Sequence, residues 1–246
     1  MATERMADTC AVVVAGGTGE RFGDPRGKQF VPLAGLPMLA WSLLALDAAP
    51  SVGSVVVVCS PDRADEVRSD VLGAIDLSVP VSFSPSGDVR QASCLSGLRA
   101  TPADAALVAI HDAARPLVLP ADVERVLARV RDDASLDGAL LAQPAVDTLK
   151  VAPDGIVEAT PDRTDYWYAQ TPQAFRRDAI LSAHERAERE GFVGTDDCSL
   201  VERYGGRVAC VAPSGENIKV TLPEDLPVAE AVLARRGSVE PEGSSR

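Results

Sequence analysis

The segment Cys10-Ala-Val-Val-Val-Ala-Gly-Gly-Thr-Gly-Glu-Arg21 decides the fold, because a short apolar run passes directly into a glycine-rich loop. Residues 10–15 are uniformly apolar, which is typical of a strand buried on both faces. Glycines after such a strand let successive backbone N–H groups point toward one anion at its carboxyl end. The segment therefore predicts a central parallel strand that leads into an anion-binding loop.

Apolar strands alternate with helical patterns along most of the remaining chain. We expect strands near 54–59, 81–83, 106–110, 138–142 and 207–211, a charged amphipathic stretch at 62–72, and helices near 37–49, 90–100, 120–131, 177–189 and 223–233. This alternation with right-handed crossovers predicts an α/β fold: a Rossmann-like, mostly parallel central sheet flanked by helices.

The pattern changes between about residues 144 and 171. Pro153-Asp-Gly155 separates two apolar pieces, and Tyr166-Trp-Tyr168 follows them. Pro-Asp-Gly in this position indicates a β-hairpin, and exposed aromatic side chains on a hairpin favour a contact with a second copy of the chain. We expect this projecting arm to be inserted in a single domain spanning 1–236, followed by a disordered tail at 237–246.

Composition excludes several classes of protein. The 246 residues carry a formal net charge of −12, whereas binding to a nucleic-acid backbone requires a broad basic face. The chain contains neither a run of eighteen apolar residues nor the basic and apolar pattern of a signal peptide. The five cysteines show no zinc-binding or disulfide spacing. We therefore expect a cytoplasmic protein without membrane or nucleic-acid partners.

Cations cluster beside the glycine-rich loop, at Arg21, Arg26 and Lys28, in a chain that has only three lysines. Fixed cations beside a phosphate-binding loop suit nucleotidyl transfer, because negative charge develops on the α-phosphate and on the departing pyrophosphate. A dinucleotide site is disfavoured, since Ser60 rather than an acidic residue follows the second strand, and the spacing does not match a P-loop. A solvated loop with ordinary surface charges is the alternative.

The pattern Ala-Gly-Gly-x-Gly-x-Arg over 15–21, followed by Lys28-Gln29, resembles the signature of the 2-C-methyl-D-erythritol 4-phosphate cytidylyltransferase family, which has the nucleotide-diphospho-sugar transferase type of fold. The resemblance continues, in order, through Gly87-Asp-Val-Arg-Gln-Ala-Ser93, Ile110-His-Asp-Ala-Ala-Arg-Pro116, Asp147-Thr148, Asp162-Arg163, Gln170-Thr-Pro-Gln173, Thr195-Asp-Asp197 and Asn217-Ile-Lys-Val-Thr221. It implies transfer of CMP from CTP to 2-C-methyl-D-erythritol 4-phosphate, with release of pyrophosphate, in the non-mevalonate isoprenoid pathway.

For the nucleotide, the resemblance implies that Ala15, Gly16 and Gly17 surround the CTP phosphates while Arg21 and Lys28 stabilise the transition state. It also implies a base-binding segment, which consists of Gly87, Asp88, Arg90 and Ser93. The chemistry fits, because a carboxylate can accept from the cytosine amine and a hydroxyl can donate to its ring oxygen. Taken alone, this segment favours a helix start with an aspartate cap.

For the acceptor, the resemblance implies that Arg163 and Lys219 hold the methylerythritol phosphate and aim its oxygen at the α-phosphorus. The other implied acceptor contacts are Asp112, Arg115, Thr148 and Thr171. Because Thr148 and Arg163 lie on the arm, the arm of one subunit would complete its neighbour's site in a homodimer, although an exposed charge on a hairpin is the alternative for Arg163. No protein metal ligands are expected, and Mg²⁺ would be held mainly by the CTP phosphates.

Gly27 stands where the family pattern has proline, which predicts a less stiff loop. Four rival functions share parts of this pattern. A ribitol- or ribulose-phosphate cytidylyltransferase would share the loop and differ mainly in the acceptor pocket. A non-catalytic nucleotide-binding protein is disfavoured, because the full cationic set is present. A glycosyltransferase would need a DxD motif, which Asp112-Ala-Ala is not, and a metal phosphohydrolase would need more histidines than His111 and His184.

Overall fold

The computed structural model describes residues 7–17, 22 and 26–237, so Arg21 and all but the first residue of the expected tail at 237–246 lie outside the described residues. Its α-helices are α1 (Met38–Asp47), α2 (Ala64–Glu66), α3 (Arg90–Arg99), α4 (Pro120–Arg131), α5 (Arg177–Glu190), α6 (Asp197–Arg203) and α7 (Asp225–Gly237). The predicted helices are confirmed, apart from small shifts at their ends. Gly237, the first residue of the expected tail, instead belongs to helix α7.

The β-strands are β1 (Thr9–Val14), β2 (Pro32–Leu33), β3 (Leu36–Pro37), β4 (Val52–Cys59), β5 (Val81–Pro85), β6 (Leu107–Asp112), β7 (Gly138–Pro144), β8 (Trp167–Arg176) and β9 (Val208–Val211). Seven of them form one sheet in the order β5-β4-β1-β6-β8-β7-β9, while β2 and β3 pair separately. All neighbours in the large sheet are parallel except β8, which is antiparallel to both β6 and β7. The predicted mostly parallel sheet is confirmed.

Strand β1 lies between β4 and β6 and is buried on both faces, as its uniform apolar sequence predicts. Ala11 and Val13 point into one hydrophobic core, and Cys10 and Val12 point into the core on the opposite face. All four side chains are fully buried. Helix α3 packs closely on this strand at Gly97, where an added Cβ would lie 2.5 Å from a methyl group of Val12.

Two elements near the centre of the molecule lie outside the predicted pattern, namely strand β8 beyond the aromatic residues and helix α6. Gln173 of β8 is buried and donates to the Asp196 carboxylate (Nε2 to Oδ2, 2.9 Å), while its carbonyl oxygen Oε1 accepts from the Cys198 N–H. Asp196 in turn caps α6 through a reciprocal pair of hydrogen bonds with Ser199. These polar contacts fix the start of α6 against the reversed strand.

The predicted arm connects β7 to β8. Its base is antiparallel, with Pro144 opposite Trp167, and an antiparallel bridge joins Val151 to Ala159 further out. Arg163 donates across the arm to the carbonyl oxygen of Val146 at 2.6 Å. Because β8 runs against its neighbours, its first residues lie at the same edge of the sheet as the last residues of β1, β6 and β7. The arm therefore leaves the sheet at the edge where the parallel strands end.

Candidate active site

A cavity of about 590 Å³ lies at the carboxyl ends of the parallel strands. Its walls come from segments that follow β1, β4, β5 and β6, together with the 28–29 turn and the 217–220 segment. The lining residues are Val14, Ala15, Gly16, Gly17, Lys28, Gln29, Ser60, Ser86, Gly87, Asp88, Val89, Arg90, Ser93, Asp112, Ala113, Ala114 and Lys219. This is the position at which open α/β sheets bind ligands.

The glycine-rich loop forms one wall of the cavity. The Ala15 N–H still donates to the carbonyl of Val58, after which the chain leaves the sheet. A Cβ added to Gly16 would lie 2.3 Å from the Cβ of Ser86, whereas a Cβ added to Gly17 would meet no atom within 4 Å. Gly16 is therefore required by close packing, while Gly17 leaves open space in which a phosphate can approach the backbone.

We expect Gly16→Ala to lower the free energy of unfolding by about 1 to 3 kcal/mol and to raise the KM for CTP, because the new methyl group displaces Ser86 and the loop. Urea denaturation and initial-rate kinetics measure the two effects. Adding Ser86→Gly removes the contacting side chain and should restore most of the lost stability. A Gly16→Ala protein as stable as the wild type would contradict the packing assignment.

Two lysines bring positive charge to the cavity. Lys28 follows Gly27 and donates to the carbonyl oxygen of Val220 at 3.3 Å, and Lys219 donates to Oδ2 of Asp112 at 2.6 Å. Gly27 has a φ of 95°, which proline cannot adopt, so a glycine in place of the family's proline matches the backbone conformation found here. Lys28 and Lys219 are far apart in the sequence, yet both line the cavity. Lys28 contacts Val220, the residue that follows Lys219.

Asp112, at the end of β6, joins two cations of the cavity wall. Its Oδ1 accepts from Arg90 Nε at 3.1 Å, while its Oδ2 accepts from Lys219. Burial alone would raise the pKa of the Asp112 carboxyl, but Arg90 and Lys219 outweigh burial and hold that pKa well below its usual range. Asp112 is therefore a carboxylate at neutral pH, and it orients both cations.

Arg90 has a second carboxylate partner, Asp197, to which its Nη1 donates at 2.7 Å. Asp197 is almost fully buried and also accepts from His184 Nε2 at 3.0 Å. Burial would raise the pKa of Asp197, but Arg90 and the His184 hydrogen bond hold it below its usual value. An alternating row of donors and carboxylates thus runs from the protein interior to the cavity.

The expected base-binding segment forms the turn before α3. The Ser93 hydroxyl accepts from the Gly87 N–H at 3.0 Å and lies within donating distance of the Val89 carbonyl, so it shapes this turn. Asp88 is exposed and lines the cavity. Val89 is the N-cap of α3 and no side chain caps that helix, so the alternative of an aspartate cap at Asp88 is wrong.

Behind the cavity, His111 and Thr171 form a buried polar pair. The Thr171 hydroxyl accepts from the Asp112 N–H at 3.0 Å and lies 3.2 Å from His111 Nδ1, while His111 Nε2 lies 3.2 Å from the carbonyl oxygen of Arg115. A carbonyl only accepts, so Nε2 carries the proton and Nδ1 accepts from Thr171. Burial lowers the pKa of His111 to about 4, and the ring is neutral at pH 7.

His111 should make the protein less stable in mild acid. The unfolded chain binds a proton with a pKa near 6.5 and the folded chain only near 4, so protonation favours unfolding between these values. We expect the free energy of unfolding to fall by about 2 kcal/mol from pH 7 to pH 5 through this residue. Urea denaturation at both pH values tests this, with His111→Gln, which has no proton to gain, as the control. An equal loss in both proteins would contradict the assignment.

Arg115, Asn217 and Gln170 connect the cavity region to the base of the arm. Arg115 Nη1 donates to the Asn217 carbonyl at 2.8 Å, and the Asn217 amide donates to Gln170 Oε1 and to the Thr171 carbonyl. Arg115 Nε and Asn217 Oδ1 are buried without a hydrogen-bond partner among the described residues. The residue Asn217 therefore ties β8 to the segment that carries Lys219.

The structure brings together most of the predicted site residues that it describes. Those that line the cavity are Ala15, Gly16, Gly17, Lys28, Gly87, Asp88, Arg90, Ser93, Asp112 and Lys219. Arg115 and Thr171 lie behind the cavity wall and are not among its lining residues. Thr148 and Arg163 are exposed on the arm and also do not line the cavity of their own subunit. Arg21 lies outside the described residues.

Seven further lining residues were not predicted as site residues: Val14, Gln29, Ser60, Ser86, Val89, Ala113 and Ala114. Ser60 and Ser86 each follow the last residue of a parallel strand, so the strand pattern itself was the signal that could have identified them. His184 and Asp197 contact the site only through Arg90. No sequence spacing indicates this contact, because Arg90 and Asp197 are 107 residues apart.

No group of three or more His, Cys, Asp or Glu side chains within 7–17, 22 and 26–237 could hold a metal ion. Both oxygens of Asp112 already accept from cations, and Asp88 is the other carboxylate of the cavity. The site therefore fits a magnesium ion only if the nucleotide phosphates supply most of its oxygen ligands. Among the described helices, none is long and apolar enough to cross a membrane.

Comparison with known proteins finds a matching family model and close relatives of this chain. The family model described as IspD: 2-C-methyl-D-erythritol 4-phosphate cytidylyltransferase matches residues 9–235. A protein of that name from Pelotomaculum thermopropionicum is 43% identical over 97% of this chain and 100% of its own length.

Solved structures agree with the sequence relatives. 4-Diphosphocytidyl-2C-methyl-D-erythritol synthase from Anaerococcus prevotii superposes with a TM-score of 0.81 at 26% identity, covering 92% of this chain and 98% of that one. 2-C-Methyl-D-erythritol 4-phosphate cytidylyltransferase from Thermus thermophilus gives a TM-score of 0.71 at 31% identity, again covering 92% of this chain and 98% of that one.

Proposed function

Because the chain belongs to the 2-C-methyl-D-erythritol 4-phosphate cytidylyltransferase family, we propose that CMP passes from CTP to the acceptor phosphate inside the cavity described above. The protein is a nucleotidyltransferase that makes 4-diphosphocytidyl-2-C-methyl-D-erythritol and pyrophosphate in the non-mevalonate isoprenoid pathway. The site assignment rests on one observation: Lys28, Lys219 and the backbone of residues 15–17 line the same cavity.

The reaction is a direct displacement at phosphorus. A phosphate oxygen of methylerythritol phosphate forms a bond to the α-phosphorus of CTP, and the bond from that phosphorus to the oxygen bridging to the β-phosphate breaks. The electron pair leaves with pyrophosphate. A phosphate dianion is already a nucleophile at neutral pH, so no general base has to remove a proton. Catalysis then consists of positioning and of charge stabilisation.

The nucleotide half of the cavity is assigned to the 15–17 loop and the 87–93 turn. Backbone N–H groups of Gly16 and Gly17 would contact the triphosphate, and Lys28 would neutralise charge that develops on the α-phosphate and the leaving group. Arg21, assigned by the family pattern, shares this role with Lys28. We assign base binding to Gly87, Asp88, Arg90 and Ser93. Asp88 is exposed and can accept a hydrogen bond from the cytosine amine, while Ser93 maintains the turn.

The acceptor half is assigned to Asp112, Arg115, Thr171 and Lys219, with Thr148 and Arg163 supplied by the arm of a second subunit. Asp112 holds the Lys219 ammonium beside the cavity, where it can bind the acceptor phosphate. The arm emerges at the cavity edge, yet Thr148 and Arg163 do not line their own cavity, which supports exchange of arms within a homodimer. The exposed side chains Tyr166, Trp167 and Tyr168 lie at its base and suit a subunit contact.

Magnesium would be held mainly by the CTP phosphates, without a dedicated set of protein ligands. When bound, the ion would neutralise triphosphate charge. The chain's own residues orient the nucleotide and the acceptor. The single domain at 1–236 and the cytoplasmic location expected from the sequence belong to the same proposal; the five free cysteines suit a reducing compartment.

The proposed function is tested by pyrophosphate release from the purified protein with CTP and Mg²⁺. Parallel reactions contain 2-C-methyl-D-erythritol 4-phosphate or ribitol 5-phosphate as acceptor. We expect release with the first acceptor and little with the second. Release only with ribitol 5-phosphate would overturn the acceptor assignment, and CTP binding without release from either acceptor would overturn catalysis in this cavity.

A further inference from the structure

We propose that Asp197 and His184 are positioning residues for nucleotidyl transfer, acting on the cavity through Arg90 and Asp112. The inference rests on the proposed function and extends it to two residues that do not line the cavity. Neither side chain is exposed enough to touch a substrate, since His184 is 0% and Asp197 1% exposed. Any effect on the reaction must therefore pass through their hydrogen-bond partners.

The hydrogen bonds form an unbroken row from the interior to the cavity. His184 Nε2 donates to Asp197 Oδ1 at 3.0 Å, and Arg90 Nη1 donates to Asp197 Oδ2 at 2.7 Å. The same guanidinium donates through Nε to Asp112 Oδ1 at 3.1 Å, and Lys219 donates to Asp112 Oδ2 at 2.6 Å. Each carboxylate thus has one oxygen toward Arg90 and the other toward a different donor.

The interior end of this row is fixed by the fold. Asp197 is the first residue of α6, and that helix start is held by the Asp196 cap and by Gln173 of β8. His184 comes from α5, so the Asp197 carboxylate is set between two helices. Arg90 is the only cation among the described residues that contacts both Asp197 and Asp112. Because the fold fixes the Asp197 carboxylate, that carboxylate determines where the Arg90 guanidinium lies.

The row matters for the reaction because Asp112 is shared between two cations. Without the Asp197 charge, the Arg90 guanidinium would be free to pair with Asp112 through two donors, in the fork geometry that arginine favours with carboxylates. Asp112 Oδ2 would then be drawn toward Arg90 and away from Lys219. The ammonium proposed to bind the acceptor phosphate would lose its fixed position, and misplacement of about 1 Å can cost about 10²-fold in rate.

A double-mutant cycle separates this role from simple stabilisation. We expect Asp197→Asn, which keeps the side-chain shape, to lower kcat/KM for the acceptor about 10- to 100-fold at saturating CTP. In an Asp112→Asn background, where the row is already broken, the same change should cost less than about threefold. A purely structural role for Asp197 predicts the same loss in both backgrounds, and that result would overturn the proposal.

A matched control is available at Asp122. It is also 1% exposed, and it pairs with Arg125 at 2.9 Å, but it lies on α4 and does not line the cavity. Asp122→Asn should reduce stability in urea denaturation without lowering kcat/KM by more than about twofold at a temperature where the protein is folded. If it lowers kcat/KM as much as Asp197→Asn does, general destabilisation explains both and the positioning role is rejected.

A second pair of variants covers the case in which Asp197→Asn does not fold. His184→Gln keeps an amide donor that can reach Asp197, whereas His184→Leu removes the donor at similar size. We expect His184→Gln to retain most of the wild-type kcat/KM and His184→Leu to lose about 10-fold. Equal values for the two would overturn the proposal. An inactive wild-type protein would instead reject the proposed function, before any variant is compared.

Discussion

Lys28→Ala is expected to lower kcat about 10³-fold while the protein stays folded. Lys28 lines the cavity beside the glycine-rich loop, where we propose that charge develops on the α-phosphate and the departing pyrophosphate. Lys28 donates to the carbonyl oxygen of Val220 at 3.3 Å, and losing a hydrogen bond of this kind costs little folding free energy. Steady-state pyrophosphate release measures kcat, and urea denaturation measures stability.

Arg129→Ala is the control for loss of one positive charge. Arg129 is an exposed cation of α4 that pairs with Asp133 and does not line the cavity. The Arg129→Ala change should leave kcat within about twofold of the wild type, because an exposed ion pair contributes little to stability. A Lys28→Ala protein with near-normal kcat would remove Lys28 from the mechanism and leave Arg21 as the candidate for charge stabilisation.

A heterodimer of one Lys28→Ala subunit and one Arg163→Ala subunit is expected to be active, although each variant alone is nearly inactive. If the arm of one subunit serves the cavity of the other, one site of the heterodimer carries both changes and the second carries neither. Isolated through two different affinity tags, such a heterodimer should show about half of the wild-type turnover per dimer. Pyrophosphate release is again the measurement.

Pairing the Lys28→Ala subunit with a subunit that carries both changes gives the matched control. Every cavity then lacks Lys28, and no activity should return. If the Lys28→Ala and Arg163→Ala heterodimer also stays inactive once its composition is verified, Arg163 serves its own subunit or has no part in the reaction. Arg163 would then be the exposed hairpin charge that the sequence alone equally allows.

The parts of the fold that follow from local sequence are those with strong periodicity. Strand β1 and its loop could be predicted because Cys10 to Ala15 are all apolar and glycines follow at once. The same pattern located β4, β6 and the carboxyl edge of the sheet, where Lys28 and Asp112 line one cavity. Residues that end a strand, or that belong to the loop after it, could therefore be predicted from the sequence.

Strand β8 and helix α6 could not be predicted for a physical reason. Within β8, Gln170, Thr171, Pro172 and Gln173 interrupt the apolar pattern, yet Thr171 and Gln173 are buried because His111 and Asp196 satisfy their polar groups. Helix α6 spans only seven residues, too few to show a helical period. Hydrogen bonds between segments far apart in sequence stabilise both elements.

The row of hydrogen bonds from His184 to Lys219 could not be predicted from the sequence, for the same reason. His184 could be assigned only as an isolated histidine on a charged helix, because its partner Asp197 comes from another helix. The contact of Arg90 with both carboxylates requires α3, β6 and α6 to be in place together. The family resemblance implied roles for Asp112 and Lys219 in the site, but it could not show that the two residues contact each other.

The reversed direction of β8 carries a consequence for how the protein behaves on dilution. That reversal sets the arm at the cavity edge. If two subunits exchange arms as proposed, a subunit that has lost its partner would keep its nucleotide loop but lose the part of its acceptor site that the partner supplies. Specific activity would then fall as the protein is diluted below the dissociation constant of the dimer. In a cell, a modest drop in expression would reduce flux through the reaction more than in proportion to the number of molecules lost.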